Sequence, residues 1–452
     1  MRAEPLSCWR PTPERAADFA SPPYDVFDRR QAASYVAAHP GCFLEIDRPE
    51  TAFGPSQDMY APEVYAKAAE LMRLRTSDGT LVRDEAACYY IYRLEQGGHS
   101  QTGIVCACSV NEYLDGTIRR HESTRHEKER DRIEHIRTTG AQSGPIFLTY
   151  RDSYALDVLV RSACTGSPLY DFTDEGGVRQ TVWRIARLDA VAAIQAAFAT
   201  VPCAYIADGH HRAASAVAVS LERRRAHGRG QGREPQSVPR DARADGDDIG
   251  TGPTAGTDPG ADGAMMAERP WDLFLSVLFP ASQLCVLPYN RVVRDRGGLS
   301  VEGLVGRIEA AGFKAGPPQA APIEPHTKGR MGLYADGSWR ELTFAGKADG
   351  NAPEGGSGGP VASLDVSLLQ ERILGPILGI ADPREDPRIS FVGGIHGTGE
   401  LERQAKDGGV AFTLFPTSVD ELMAVGDAGL LMPPKSTWFE PKLRSGLFIR
   451  RI

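Results

Sequence analysis

The sequence predicts an α/β (α+β) fold with mixed β-sheets flanked by helices, and two observations carry this expectation. Short apolar runs rich in Val, Ile, Leu and aromatic residues recur along the chain, separated by alanine- and leucine-rich stretches of helical character. Gly, Pro, Asn and Asp punctuate the changes from one to the other. Strands alternating with helices pack as layers around a sheet.

Taken in order, residues 21–26 read Ser-Pro-Pro-Tyr-Asp-Val and precede a helical stretch over 28–38. The two prolines fix an extended path. They either present Tyr24 and Asp25 rigidly or form a plain N-terminal turn. A helix is predicted over 61–76, then strands over 87–94 and 101–110 joined by a Gln96-Gly97-Gly98-His99 turn. Residues 113–118 read as strand and turn, 145–150 as a strand, 171–185 as further strand material, and 189–199 as a helix capped by Asp189. Strands follow over 203–207, 271–280 and 284–293, and a helix over 301–311 closed by Gly312. A hairpin turns at Asp336-Gly337 within 332–344. Helices over 363–378, 399–406 and 418–427 and strands over 388–392, 410–415 and 446–450 complete the chain. Two stretches, 227–269 and 346–360, carry almost no large apolar residue and are expected to be disordered insertions in surface loops. The first separates an N-terminal part (1–226) from a C-terminal α/β part (270–452), the second is a loop within the latter, and the parts are expected to form one unit.

Composition narrows the function. At 452 residues, 41% hydrophobic and 24% charged, the chain has the make-up of a soluble globular protein. A net charge of −8 argues against general attraction to nucleic acid or anionic membrane. No apolar run reaches bilayer length, and no signal peptide is expected from the opening residues. The eight cysteines are scattered, with one Cys-x-Cys (Cys106, Cys108) and no Cys-x-x-Cys, so a reduced, cytoplasmic protein is expected. The sequence leaves the oligomeric state open.

Three polar constellations stand out. The first is Asp208-Gly209-His210-His211-Arg212, between a buried strand and a helix over 212–225. Asp208 is a candidate helix cap and Gly209 permits the sharp turn. A helix start carries unpaired N–H groups and a partial positive charge, and two imidazoles and a guanidinium add to its pull on phosphate. A capped helix with surface histidines is the plainer reading; five polar residues in one corner favour an anion site. The second is the run Arg119 to Arg132, which includes His121-Glu122-Ser123-Thr124. It reads as a solvated helix face or as a source of a base and phosphate-binding arginines. His121 and His126 are five apart, so they do not share a helix face as a zincin pair would, and structural zinc is not expected. The third is Pro433-Pro434-Lys435-Ser436-Thr437-Trp438-Phe439-Glu440-Pro441-Lys442, which reads equally as a phosphate- and base-binding loop or as a proline-rich connection.

Together with Pro22-Pro23-Tyr24-Asp25-Val26 and Asp131-Arg132, these blocks resemble the bacterial and archaeal family called domain of unknown function 1015 over nearly the whole chain. The stretch Pro288-Tyr289-Asn290-Arg291 departs from it, where a histidine-arginine pair is expected in relatives. The Asp-Gly-His-His-Arg corner is also similar to a motif of the ParB/sulfiredoxin-like superfamily, which includes archaeal free-serine kinases. That resemblance implies a nucleotide-binding core whose corner grips phosphates; in the kinases the nucleotide is ATP with Mg²⁺ and the product is O-phospho-L-serine.

Residues and resemblance together lead to the expectation of a small-molecule kinase acting from ATP, with Mg²⁺, on a metabolite hydroxyl, free L-serine foremost. Glu122 is the expected base, with Asp208 and His211 as further catalytic groups. Gly209, His210, His211, Arg212, Lys435, Ser436 and Thr437 are expected to bind nucleotide phosphates. Tyr24, Asp25, His121 and Thr124 are expected to meet the acceptor, and Asp208 to hold the metal. The alternative is a ParB-like nucleotide-binding regulator without kinase activity, although no basic helix-turn-helix region is evident.

Overall fold

The structure, a computed structural model, describes residues 1–124, 126–230, 269–346 and 359–452. The two predicted insertions therefore lie, apart from their edges, outside the described residues.

The strands Ala3–Glu4 (β1), Tyr89–Gln96 (β2), His99–Ser109 (β3), Ile118–Arg119 (β4), Ile146–Tyr150 (β5), Tyr170–Thr173 (β6), Arg179–Ile185 (β7), Ala204–Asp208 (β8) and Leu273–Pro280 (β9) form one mixed sheet. Its order is β4-β8-β5-β9-β3-β2-β7-β6, with β1 also on β3. β8 runs parallel to β4 and antiparallel to β5; β9 runs parallel to β5 and antiparallel to β3. A second, antiparallel sheet contains Tyr289–Val293 (β10), Phe313–Ala315 (β11), Arg330–Ala335 (β12), Ser338–Phe344 (β13), Ile389–Gly393 (β14) and Val410–Leu414 (β15), in the order β11-β13-β12-β15-β10-β14. Between the sheets, Cys285–Leu287 pairs antiparallel with Trp438–Glu440 and so anchors the third constellation. The helices that matter below are Arg29–Ala38 (α1), Pro62–Ser77 (α2), His126–Thr139 (α3), Tyr154–Ala163 (α4), Leu188–Ala199 (α5), His210–Gly230 (α6), Val301–Ala310 (α7) and Val419–Asp427 (α8).

Alternation along the strands sends side chains to two cores. From β3, Ile104, Cys106 and Cys108 meet Phe198 of α5 and Ala213 and Val217 of α6 in one cluster. Val105 and Ala107 face the opposite cluster, which runs on through Leu447 and Phe448 to Leu304 of α7, Leu333 and Phe412 of the second sheet and Met423 of α8. Cys106 and Cys108 pack on one face as their spacing predicts, their sulfurs 3.7 Å apart and unbridged. Among the described residues no helix is long and apolar enough to cross a membrane.

The second sheet is tied to the first at β8. The Tyr205 hydroxyl donates to Asp427 Oδ1 at the end of α8 (2.6 Å) and accepts from Arg151 Nη1 (2.9 Å), while Arg151 Nη2 donates to Asp427 Oδ2 (2.6 Å). Gly426 makes this approach possible, because a Cβ there would stand 3.0 Å from the Tyr205 ring.

Local corrections have local causes. Residues 113–118 are not strand and turn throughout: a short helix, Val110–Leu114, capped by Ser109, precedes β4. Helix α5 begins at Leu188, and Asp189 pairs with Arg187 instead of capping it. The helix expected over 363–378 is broken into Asp365–Leu369 and a π-helical turn, Gln370–Leu374, after an extended Leu364. Its start is fixed by Asp365, which accepts from Gly329 N at 3.0 and 3.1 Å. The terminal strand shrinks to Arg450–Arg451, because Leu447 and Phe448 fill the core, Phe448 against the Tyr90 and Tyr92 rings.

Tyr205→Phe removes only the hydroxyl that ties β8 to α8. Urea unfolding is expected to show a loss of about 1 kcal/mol with an unchanged m-value.

Candidate functional site

The corner forms because β8 is buried along Ala204–Ala207 and turns polar only at Asp208, where the chain must leave the sheet. Gly209 has φ 93°, in the left-handed region, and α6 starts at the next residue. A Cβ at Gly209 would stand 3.0–3.1 Å from the Arg212 guanidinium, so glycine is required both for the turn and for the approach of that side chain. Arg212 Nη1 donates to Pro145 O (2.6 Å), while its buried Nε has no partner.

The other two constellations meet this corner. The third crosses it with two ammonium groups: Lys442 Nζ donates to Asp208 Oδ2 (3.0 Å), and Lys435 lies above the Tyr289 ring (5.8 Å). Lys435 itself has φ 59°, a conformation that side-chain-bearing residues adopt at a cost and that clusters at functional sites. Its backbone N donates to Glu122 Oε1 (3.4 Å), and Thr437 Oγ1 lies 3.5 Å from His121 Nε2. His121 and His210 meet edge to face with ring centroids 4.4 Å apart, and His210 Nδ1 lies 3.9 Å from Glu122 Oε2.

Burial sets the charge states. It holds His210 at a pKa of about 3, with His211, Lys435 and Arg120 adding to the effect, and holds His121 at about 3, with His210 adding to it. Both imidazoles are therefore neutral at pH 7. Burial would raise the Asp208 carboxyl, but Lys442, Arg212 and Lys435 hold it well below the usual carboxylate range. Burial likewise opposes the charge on Lys435, yet Tyr289, Glu122, Asp25 and Asp208 hold its ammonium above the ordinary lysine range. Lys435, Lys442, Arg212, Arg120 and Arg291 stand against Asp208, Glu122, Asp25 and Glu440 around the corner, a small surplus of positive charge.

The remaining predicted residues divide. Tyr24 is buried with Arg132 stacked 4.0 Å over its ring, and the two line a cavity of about 40 Å³ with Asp47, Ser143 and Arg212. Asp25 is exposed and acts on Lys435. The Thr124 hydroxyl donates to Glu129 (2.9 Å), and the Ser436 hydroxyl closes its own loop on Pro433 O (2.6 Å). His210 lies against Glu122, and the His211 carbonyl accepts from Ser215 (2.7 Å).

Asp208, the expected metal ligand, is paired with an ammonium group. One of its oxygens accepts from Lys442 and the other from Gly209 N (2.8 Å), and each keeps a lone pair for a Mg²⁺ ion, which takes one or two carboxylates with water and phosphate oxygens. The start of α6 and the charges of Lys442, Arg212 and Lys435 gather around Asp208, chemistry that suits an anion.

Comparison with known proteins adds the family. The one described as a protein of unknown function (DUF1015) matches residues 3–367. The chain belongs to this family. No curated protein matches it. Among solved structures, a free serine kinase in complex with AMP is 11% identical, covering 74% of this chain and 86% of that one, with a TM-score of 0.33. A conserved hypothetical protein from Pyrococcus furiosus is 12% identical over 76% and 94%, with a TM-score of 0.32. SbnI with a C-terminal truncation, from Staphylococcus aureus, is 12% identical over 75% and 84%, with a TM-score of 0.34. Likenesses of this size carry no argument about activity.

Sequence reasoning did not assign three contributors. Lys442 stands at the end of the third constellation, and its Glu-Pro-Lys context was the available signal. Gly144 lies under Arg212, where a Cβ would approach the side chain to 3.2 Å, and its place in Ser143-Gly144-Pro145 marks a turn. Arg291, in the stretch that departs from the family pattern, is buried and braces the lysine loop by donating to Pro434 O (3.1 Å).

Two outcomes follow for the corner. Gly209→Ala is expected to destabilise the protein by about 1 kcal/mol or more, read by chemical denaturation, because alanine is strained at positive φ. His121 and His210 have folded pKa values of about 3, below the ordinary 6.5. Their contribution to stability is complete above pH 6.5 and is lost as pH falls from there toward 3, while the unfolded chain takes up protons. In chelator-treated protein, the fall in unfolding free energy across that window is expected to be shallower in His210→Asn than in the wild type.

Proposed function

We propose that the protein is a phosphotransferase that moves the γ-phosphoryl group of ATP to a hydroxyl of a small metabolite, with free L-serine as the leading acceptor. The observation that supports this reading is the meeting of Glu122 with the cationic Asp208–Arg212 corner and the Lys435 loop. Phosphoryl transfer depends mainly on positioning and charge neutralisation. The start of α6, Arg212, Lys435 and Lys442 bind the phosphates, and Asp208 holds Lys442 in place. Glu122, 22% exposed, accepts the proton of the acceptor hydroxyl. The acceptor oxygen then bonds to the γ-phosphorus as the bond to the β-phosphate oxygen breaks, and ADP leaves. Tyr24 and Asp25 flank the acceptor side, with Asp25 available to an ammonium group. The resemblance of the corner to phosphate-gripping turns supports the same assignment.

The test is to incubate purified protein with ATP, Mg²⁺ and L-serine and to measure O-phosphoserine and ADP. Glu122→Gln is expected to lower kcat by about 10²–10⁴-fold, and Arg212→Ala to raise the KM for ATP. Absence of acceptor-dependent ADP release across a panel of amino acids and polyols would sink the reading. ATP binding without turnover in that panel would instead favour a nucleotide-binding regulator.

A further inference from the structure

His121, Glu122 and His210 come together from two distant parts of the chain. One ring nitrogen of each histidine and one Glu122 oxygen lie within 4.8 Å of one another. We infer that these three side chains form a binding site for a divalent transition-metal ion of the zinc class, open on the side of Glu122. The inference goes beyond phosphotransfer and stands on these residues alone.

The donor set selects the ion. Two imidazoles and a carboxylate suit zinc, cobalt, manganese or ferrous iron, whereas Mg²⁺ and Ca²⁺ prefer oxygen throughout. Tetrahedral bonds of about 2.0–2.1 Å put ligand atoms about 3.4 Å apart. His210 Nδ1 and Glu122 Oε2 already stand at 3.9 Å, so closure needs modest side-chain rotation.

The second observation concerns ring nitrogens. His121 is 1% exposed and His210 5%, yet His121 Nδ1 and His210 Nε2 are buried without a hydrogen-bond partner. Leaving such an atom unpaired costs free energy, and His121 Nδ1, in a ring packed against His210 and near Glu122, is the one that an ion held by His210 Nδ1 and Glu122 would satisfy. Outer contacts are also present: Thr437 Oγ1 reaches His121 Nε2, and Lys435 N donates to Glu122. Such partners orient metal ligands. Glu122, the most exposed of the three, gives the ion its entry path. Three protein ligands leave a position for water or a substrate oxygen, the pattern of a catalytic site and not of a closed structural one. A carboxylate bound to the ion is no longer a free base, so metal binding and the base role of Glu122 exclude each other.

The test uses full-length protein stripped with a chelator. Co²⁺ is added while its visible absorption is followed, and Zn²⁺ is titrated by calorimetry, both without ATP or serine. One ion per chain is expected. His210→Ala and Glu122→Gln are expected to weaken binding by more than the roughly 10–100-fold that loss of an outer partner costs. His126→Ala, an exposed histidine of the same charged run, is expected to bind as the wild type does. Circular dichroism of the metal-free variants checks folding, and Glu122→Gln decides the matter if His210→Ala misfolds. Absence of stoichiometric binding by the wild type, or unchanged binding in the variants, overturns the site. Because no phosphotransfer is measured, failure of the kinase reading leaves this result intact, and the reverse also holds.

Discussion

Asp208 ends a strand buried on both faces, and its carboxylate is held by the Lys442 ammonium from 234 positions further along the chain. A charge at that point must be paired or solvated, because an uncompensated one is costly in a low-dielectric setting. Meeting that need draws the C-terminal segment across the end of the large sheet. Once Lys442 is in place, the short ribbon between Trp438–Glu440 and Cys285–Leu287 fixes the preceding loop. Thr437 then falls beside His121, and the Lys435 peptide beside Glu122. One ion pair thus sets the geometry of three polar segments.

The corner is also where local rules are broken. Lys435 occupies left-handed backbone space, Arg212 Nε is buried without a partner, and two imidazoles are held neutral by burial. Departures of this kind concentrate where a protein trades stability for chemistry. The surrounding scaffold is regular by comparison. The strands of the large sheet alternate cleanly between two cores, and the Tyr205–Asp427–Arg151 network holds α8, and with it the second sheet, against the end of β8.

Much of the scaffold was legible because hydrophobic periodicity reports which face of an element is buried. The Gln96-Gly97-Gly98-His99 and Asp336-Gly337 turns, the strand before Asp208 and the helix after Gly209 all lie where residue types place them. The misreadings arose where distant contacts outweighed local preference. Leu447 and Phe448 read as strand but serve as core filling, and Asp365 ties a broken helix to the loop before β12. In the site, the Thr124 and Ser436 hydroxyls donate to Glu129 and to Pro433 O, contacts that no residue pattern announces.

The sequence by itself determined the alternation of strands and helices and the polar corner at a helix start. It also contained the two further constellations that meet the corner, because each is a local pattern of residue types governed by local backbone chemistry. Only the tertiary structure decided which of them face one another. His121 meets the His210 ring, and Asp208 is met by Lys442. Those partners lie far apart along the chain, and no periodicity records a distance that exists only after the sheet has closed.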